Sequence, residues 1–210
     1  TLVINNVDRN PKNLFTKIHS YILARGLAKA LSTALFKVIC KIESLVIKRM
    51  SKFVNFYEKY QLFDNDYEVI NVTPEISKSG LIYRYTDLDL KLIQDANLDL
   101  MIRAGSGILR GPILNICPKG IISFHHADND INRGGPPGFW EVYDRNPRTG
   151  FIIQILKDEL DGGDVLYKGF IPTNWFYSLN LAKLYEMSYP FLHYVIEDIT
   201  SENPTLGIQK

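Results

Sequence analysis

The chain has 210 residues, of which 46% are hydrophobic and 12% aromatic, enough to bury one sizeable core. Its net charge of +1 hides an asymmetry: residues 1–60 carry 11 Lys and Arg against 3 Asp and Glu, and residues 61–210 carry 13 against 20. No run reaches the roughly 20 apolar residues of a membrane span, and the first residues lack the charged and apolar regions of a signal peptide. Cys40 and Cys117 lie far apart in apolar surroundings, as reduced thiols do. A cytoplasmic protein in a reducing compartment is the expectation.

In chain order, Leu2-Val3-Ile4 is an apolar run broken by Asp8, Asn10 and Pro11, which predicts a short strand. Over residues 15–60 apolar side chains from Ile18 to Val46 recur at helical spacing between lysines and arginines. One long or two consecutive basic amphipathic helices are expected, broken near Gly26. They read as a helical insertion whose basic face is solvated or meets an anionic surface or a partner protein. Residues 66–72 form a strand candidate, and Thr73-Pro74-Glu75 is a plausible helix start with proline in its first turn. A short helix is expected over 86–96, a strand over 98–102 and a glycine-bearing turn over 103–107.

A helix is next expected over 108–116, stopped by Pro118-Lys119-Gly120, and then a buried strand over 121–124. A short helix at 138–145, strands at 150–156 and 165–171, and a closing helix at 174–199 interrupted at Pro190 complete the series. The tail from Ser201 reads as loose. Strands alternating with helices predict an α/β class: a Rossmann-like, mostly parallel sheet with helices on both faces, plus the basic insertion and the C-terminal helix.

Chemistry gathers in I-S-F-H-H-A-D-N-D-I-N-R-G-G-P-P (122–137) and L-D-G-G-D (160–164). Side chains two apart on a strand share a face, so Ser123 and His125 point together and His126 points away. Diverging histidines cannot chelate one ion, so no metal site is expected. Asp161, in a turn that Gly162 and Gly163 leave open, is suited to hold an imidazole in one tautomer. Arg133, in a stiff loop, can clamp an anion or simply shape the turn.

These motifs, in this order, resemble the catalytic domain of the folate-dependent formyltransferases. The resemblance is good over residues 98–170, loose at the first strand and slight in the basic helices. It implies a single formyltransferase-like domain over 1–210 with its core at 98–170, preceded in the family by a strand and helix that these residues lack, as in a fragment. It implies 10-formyltetrahydrofolate as formyl donor and attack by a primary amine, with an oxyanion that needs hydrogen-bond donors. The family's asparagine, histidine and aspartate fall on Ser123, His125 and Asp161, with serine in place of the amide and Asn129 near enough to assist. The donor is expected against Ser106, Gly107 and Ile108 and against the turn at Glu159, Leu160 and Asp161; the amine is expected to pass Asn129 and Arg133. The acceptor implied is a small amine, such as a nucleotide-linked amino sugar. Hydrolysis of the donor, or a binding module that keeps the fold without catalysis, stand as alternatives.

Overall fold

A computed structural model describes residues 2–7, 13–49, 68–105, 107–128, 130–131, 135–159 and 162–206. The first strand, β1 (Leu2–Asn6), pairs in parallel with β2 (Glu68–Val72). Between them lie two helices, α1 (Leu14–Arg25) and α2 (Leu27–Lys48), separated as expected at Gly26, whose φ of 80° suits a residue without a Cβ. Asn13 caps α1 by accepting from the Thr16 amide at 2.8 Å.

Thr73-Pro74-Glu75 does not start a helix. Glu75–Ile76 forms a short strand, β3, antiparallel to β4 (Ile82–Arg84), because the turn at Ser77–Gly80 returns the chain upon itself. Helix α3 (Asp87–Asp95) follows, opened by a reciprocal box in which Thr86 and Asp89 each bond the other's backbone. The second carboxylate oxygen of Asp89 accepts from the Thr73 amide at 3.1 Å, which anchors the end of β2 to this helix.

After β5 (Met101–Arg103) the expected helix over 108–116 is replaced by β6 (Ile108–Leu109) and a 3-10 turn at Pro112–Asn115. Gly111, with φ of 86°, and the following proline break any continuous helix there. Strand β7 (Ile121–His125), helix α4 (Phe139–Tyr143), β8 (Arg148–Ile155), β9 (Asp164–Pro172) and α5 (Tyr177–Thr200) then come as predicted, except that α5 runs through Pro190. The lost proline amide is offset by packing, since Leu184, Ser188 and Val195 on either side of it are buried. The tail is also firmer than expected to Leu206, because Asp198 accepts from the Thr205 amide and hydroxyl and from the Leu206 amide.

Among the described residues the strands form three ladders: β1–β2, β3–β4–β6 and β5–β7–β8–β9. The α/β class is as expected. Pairing is parallel at β1–β2, β4–β6 and β5–β7 and antiparallel at β3–β4 and through β7–β8–β9. β7 divides two cores by alternation of its side chains. Ile121 joins Val72, Ile93, Leu109, Ile113 and Leu114 on one side, whereas Ile122 joins Ile153, Leu166 and Val195 of α5 on the other. Where β9 passes Phe151, a Cβ on Gly169 would collide with the ring, so glycine there lets Phe151, Tyr167 and Phe191 gather into one cluster.

Candidate functional site

Since Ile121 faces the first core, Ser123 and His125 face the same way, and at the end of β7 they line a cavity of about 170 Å³. Its other walls are Arg103 at the end of β5, Gly105 and Gly107 to Leu109, Phe124, Gln154, Leu156, Lys157, Glu159 and Gly163. It thus opens at the carboxyl ends of the parallel strands β5 and β7, where α/β sheets hold ligands. A larger groove of about 1090 Å³, floored by Leu114, Ile116 and Leu90, shares Leu156, Lys157 and Glu159 with it.

Four features shape the cavity. Gly107 has φ of 91° and sits so close to Tyr83 that any Cβ would clash with the ring. Arg103 donates from Nη2 to the Gly107 carbonyl at 2.8 Å, which fixes the turn, and burial holds its guanidinium pKa below the usual value. Ser123 donates its hydroxyl to the Phe124 carbonyl at 3.2 Å. Gln154, the partner of Ser123 across β7 and β8, is only 6% exposed, and its Oε1 has no hydrogen-bond partner among the described residues.

His126 leaves the cavity, as the strand alternation requires. It stacks on Phe124 at 4.9 Å, meets the edge of Tyr185 at 4.5 Å and lies 3.3 Å from the Ser188 hydroxyl. Burial among these groups, and then the proximity of His125, pushes its pKa down to about 4. The chain beyond is strapped to β9: Lys168 bonds the buried Asp128 at 2.6 Å and the exposed Asp130 at 2.5 Å. Beside this strap Glu141 is buried, and desolvation raises its carboxyl pKa.

The structure therefore brings Ser123, His125, Gly107, Ile108 and Glu159 to one cavity. Ser106, Asn129, Arg133, Leu160 and Asp161 lie outside the described residues. Sequence reasoning missed Arg103 and Gln154. The available signal for Gln154 was its place as the one polar side chain between Phe151 and Leu156. No group of three or more metal-ligating side chains occurs among the described residues. Nor is any helix among them long and apolar enough to cross a membrane.

Fold and cavity define an α/β protein with a cavity of about 170 Å³ at the carboxyl ends of the parallel strands β5 and β7. Among solved structures it superposes on phosphoribosylglycinamide formyltransferase from Bacillus halodurans with a TM-score of 0.55, at 15% identity over 65% of this chain and 71% of that one. The corresponding enzyme of Anaplasma phagocytophilum gives 0.52 at 16% identity, over 64% of each chain. The fold is that of the formyltransferases. In sequence, the methionyl-tRNA formyltransferase of Syntrophus aciditrophicus (strain SB) is 31% identical over 84 residues, 40% of this chain but only 27% of that protein's length. No protein-family model matches the chain. The chain thus resembles the formyltransferases in fold and, over 84 residues, in sequence.

Proposed function

We propose that this protein transfers the formyl group of 10-formyltetrahydrofolate to the primary amine of a small molecule, an amino sugar being the preferred acceptor class. The observation that carries this reading is the convergence of Ser123 and His125 with Gly107, Ile108 and Glu159 on one cavity, from segments distant in sequence. The cavity suits such a donor in kind: apolar walls from Ile108, Leu109, Phe124 and Leu156 surround a few convergent polar groups, and the adjoining groove leaves room for the rest of a large ligand. Ser106, Gly107, Ile108 and the turn at Glu159 to Asp161 would hold it.

His125 is the proton carrier in this reading. An amine that bonds to a carbonyl carbon gains positive charge and must lose a proton, and an imidazole at the cavity wall can take it and pass it to the leaving nitrogen. Asp161 keeps that imidazole in the useful tautomer. Asn129 and Arg133 guide the acceptor. Residues 98–170 form the catalytic core of a single domain, 15–60 its basic insertion and 174–199 its closing helix. The two free thiols, Cys40 and the buried Cys117, suit a reducing cytoplasmic setting.

The test is to incubate the protein with 10-formyltetrahydrofolate, with and without an amino sugar, and to follow tetrahydrofolate, formate and formamide product. Formamide is expected, falling about 10²–10⁴-fold in His125→Ala and in Asp161→Asn. Formate released without any amine would replace transfer by hydrolysis. Donor binding with no turnover, unchanged by either substitution, would leave a binding module.

A further inference from the structure

The helical pair α1–α2 has no part in the proposed transfer chemistry. Residues 13–49 carry seven lysines and arginines against one carboxylate, Glu43, and that carboxylate is engaged on the body side, where it accepts from the Ser178 amide at 2.7 Å. The other contacts of α2 share that side or adjoin it. Phe36 packs on Phe139 and Tyr177, and the Thr33 hydroxyl lies 3.0 Å from that of Tyr21 in α1. Away from these contacts Leu31, Leu35, Val38, Ile42, Leu45 and Val46 are each more than half exposed. At about 100° per residue these six fall within an arc of about 100°, and Lys37, Lys41 and Lys48 fall together within about 40° along one flank of it. The result is an apolar stripe about 22 Å long beside a row of lysines.

We propose that this face of α2 docks on a lipid bilayer with anionic headgroups, the helix lying in the plane of the interface with its stripe among the upper acyl carbons and its lysines on the headgroups. A contiguous exposed apolar stripe marks an interaction surface, and charge selects the occupant. A second copy laid stripe on stripe would bring two lysine-bearing, carboxylate-poor helices together, and like charges at a rim oppose association. Anionic headgroups reverse that sign and attract each lysine near the surface. The lysine stems can lie along the apolar flank while their ammonium groups stay at headgroup depth. No helix among the described residues is long and apolar enough to cross a bilayer, and the charges spaced along α2 hold it at the surface. This inference concerns where the protein sits, and it stands apart from the transfer reading.

The experiment floats the full chain with vesicles of phosphatidylcholine alone, or of phosphatidylcholine and phosphatidylserine in equal parts, and measures the bound fraction. Partitioning is expected to be at least about tenfold stronger on the mixed vesicles. Leu35→Ser combined with Ile42→Ser removes two inserted side chains and should lower it about 10–10²-fold, with the unfolding midpoint unchanged. Lys37→Gln combined with Lys41→Gln should lower binding to the mixed vesicles about tenfold and leave the neutral ones unaffected, which keeps the test open if the serine variant folds poorly. No binding to mixed vesicles overturns the proposal, as does equal binding to neutral ones, or binding that both double variants retain in full. A dimer formed without lipid and dissolved by Leu35→Ser with Ile42→Ser, read by analytical ultracentrifugation, would give the stripe to a second copy and overturn it as well. None of these measurements needs turnover, so a failure here leaves the transfer reading untouched.

Discussion

The layer β7–β9 with α5 and the helical pair α1–α2 are both rich in apolar residues, and they treat them in opposite ways. Phe151 to Gln154 of β8 are all buried, and the strand is covered by α5 on one side and by its neighbours along both edges. In α2 only Ile47 is buried, while Leu27, Leu31, Leu35, Val38, Ile39, Ile42, Leu45 and Val46 stay exposed along one face. The face of α2 turned to the body is the mixed one. Phe36 meets Phe139 and Tyr177 there, and Glu43 accepts from the Ser178 amide at 2.7 Å, capping α5. Helical spacing of apolar residues therefore forecast the element in both regions, but it did not say which face would be covered. Burial, not composition, decides where stability resides.

Leu184→Ala should break the contrast most strongly, since the side chain is fully buried against Phe151 and Ile171; a loss of about 2–5 kcal/mol in denaturant unfolding is expected. Acid should come next, again through the strand layer. His126 has a folded pKa of about 4, below the ordinary 6.5, so between those values the unfolded chain binds more protons than the native one. The stability this contributes is fully present above about pH 6.5 and is lost as pH falls towards 4, by about 3 kcal/mol in all. His126→Phe, which keeps the stack on Phe124, should flatten that part of the pH profile of unfolding. The smallest effect belongs to the helical pair. Leu35→Ser and Ile42→Ser, both on the exposed face of α2, should change unfolding free energy by less than about 0.5 kcal/mol while raising solubility. A loss near that of Leu184→Ala would mean that the exposed stripe is covered in solution.

How much was legible in the sequence follows from which forces act locally. The two-residue period of a strand was enough to separate His125 from His126, and the break at Gly26 followed from glycine's freedom at positive φ. The stretch 108–116 misled because its apolar spacing fits a helix, whereas Gly111 and Pro112 set the backbone. Pro190 misled in the other direction, since packing on the strand layer outweighs one missing hydrogen bond. Gln154 was overlooked because a search for hydrophobic periodicity treats one polar residue in an apolar run as noise. Its meaning depends on the partner strand and on Gly163, which only the fold brings to it. Asp161, the residue on which the resemblance leans most after His125, lies outside the described residues.

The doubled histidine at the end of β7 has a consequence for insertions and deletions. Were the strand to slip by one residue against β8, His126 would take the place of His125, and the cavity would still receive an imidazole. The same slip would carry Phe124 into the place of Ser123 and turn Ser123 towards the core around Ile122 and Val195. A deletion within Cys117–Gly120 therefore should not be rescued by the spare histidine. Point substitutions test the chemistry of this strand; changes in chain length before it test whether its frame of alternation is what keeps the two histidines in different roles.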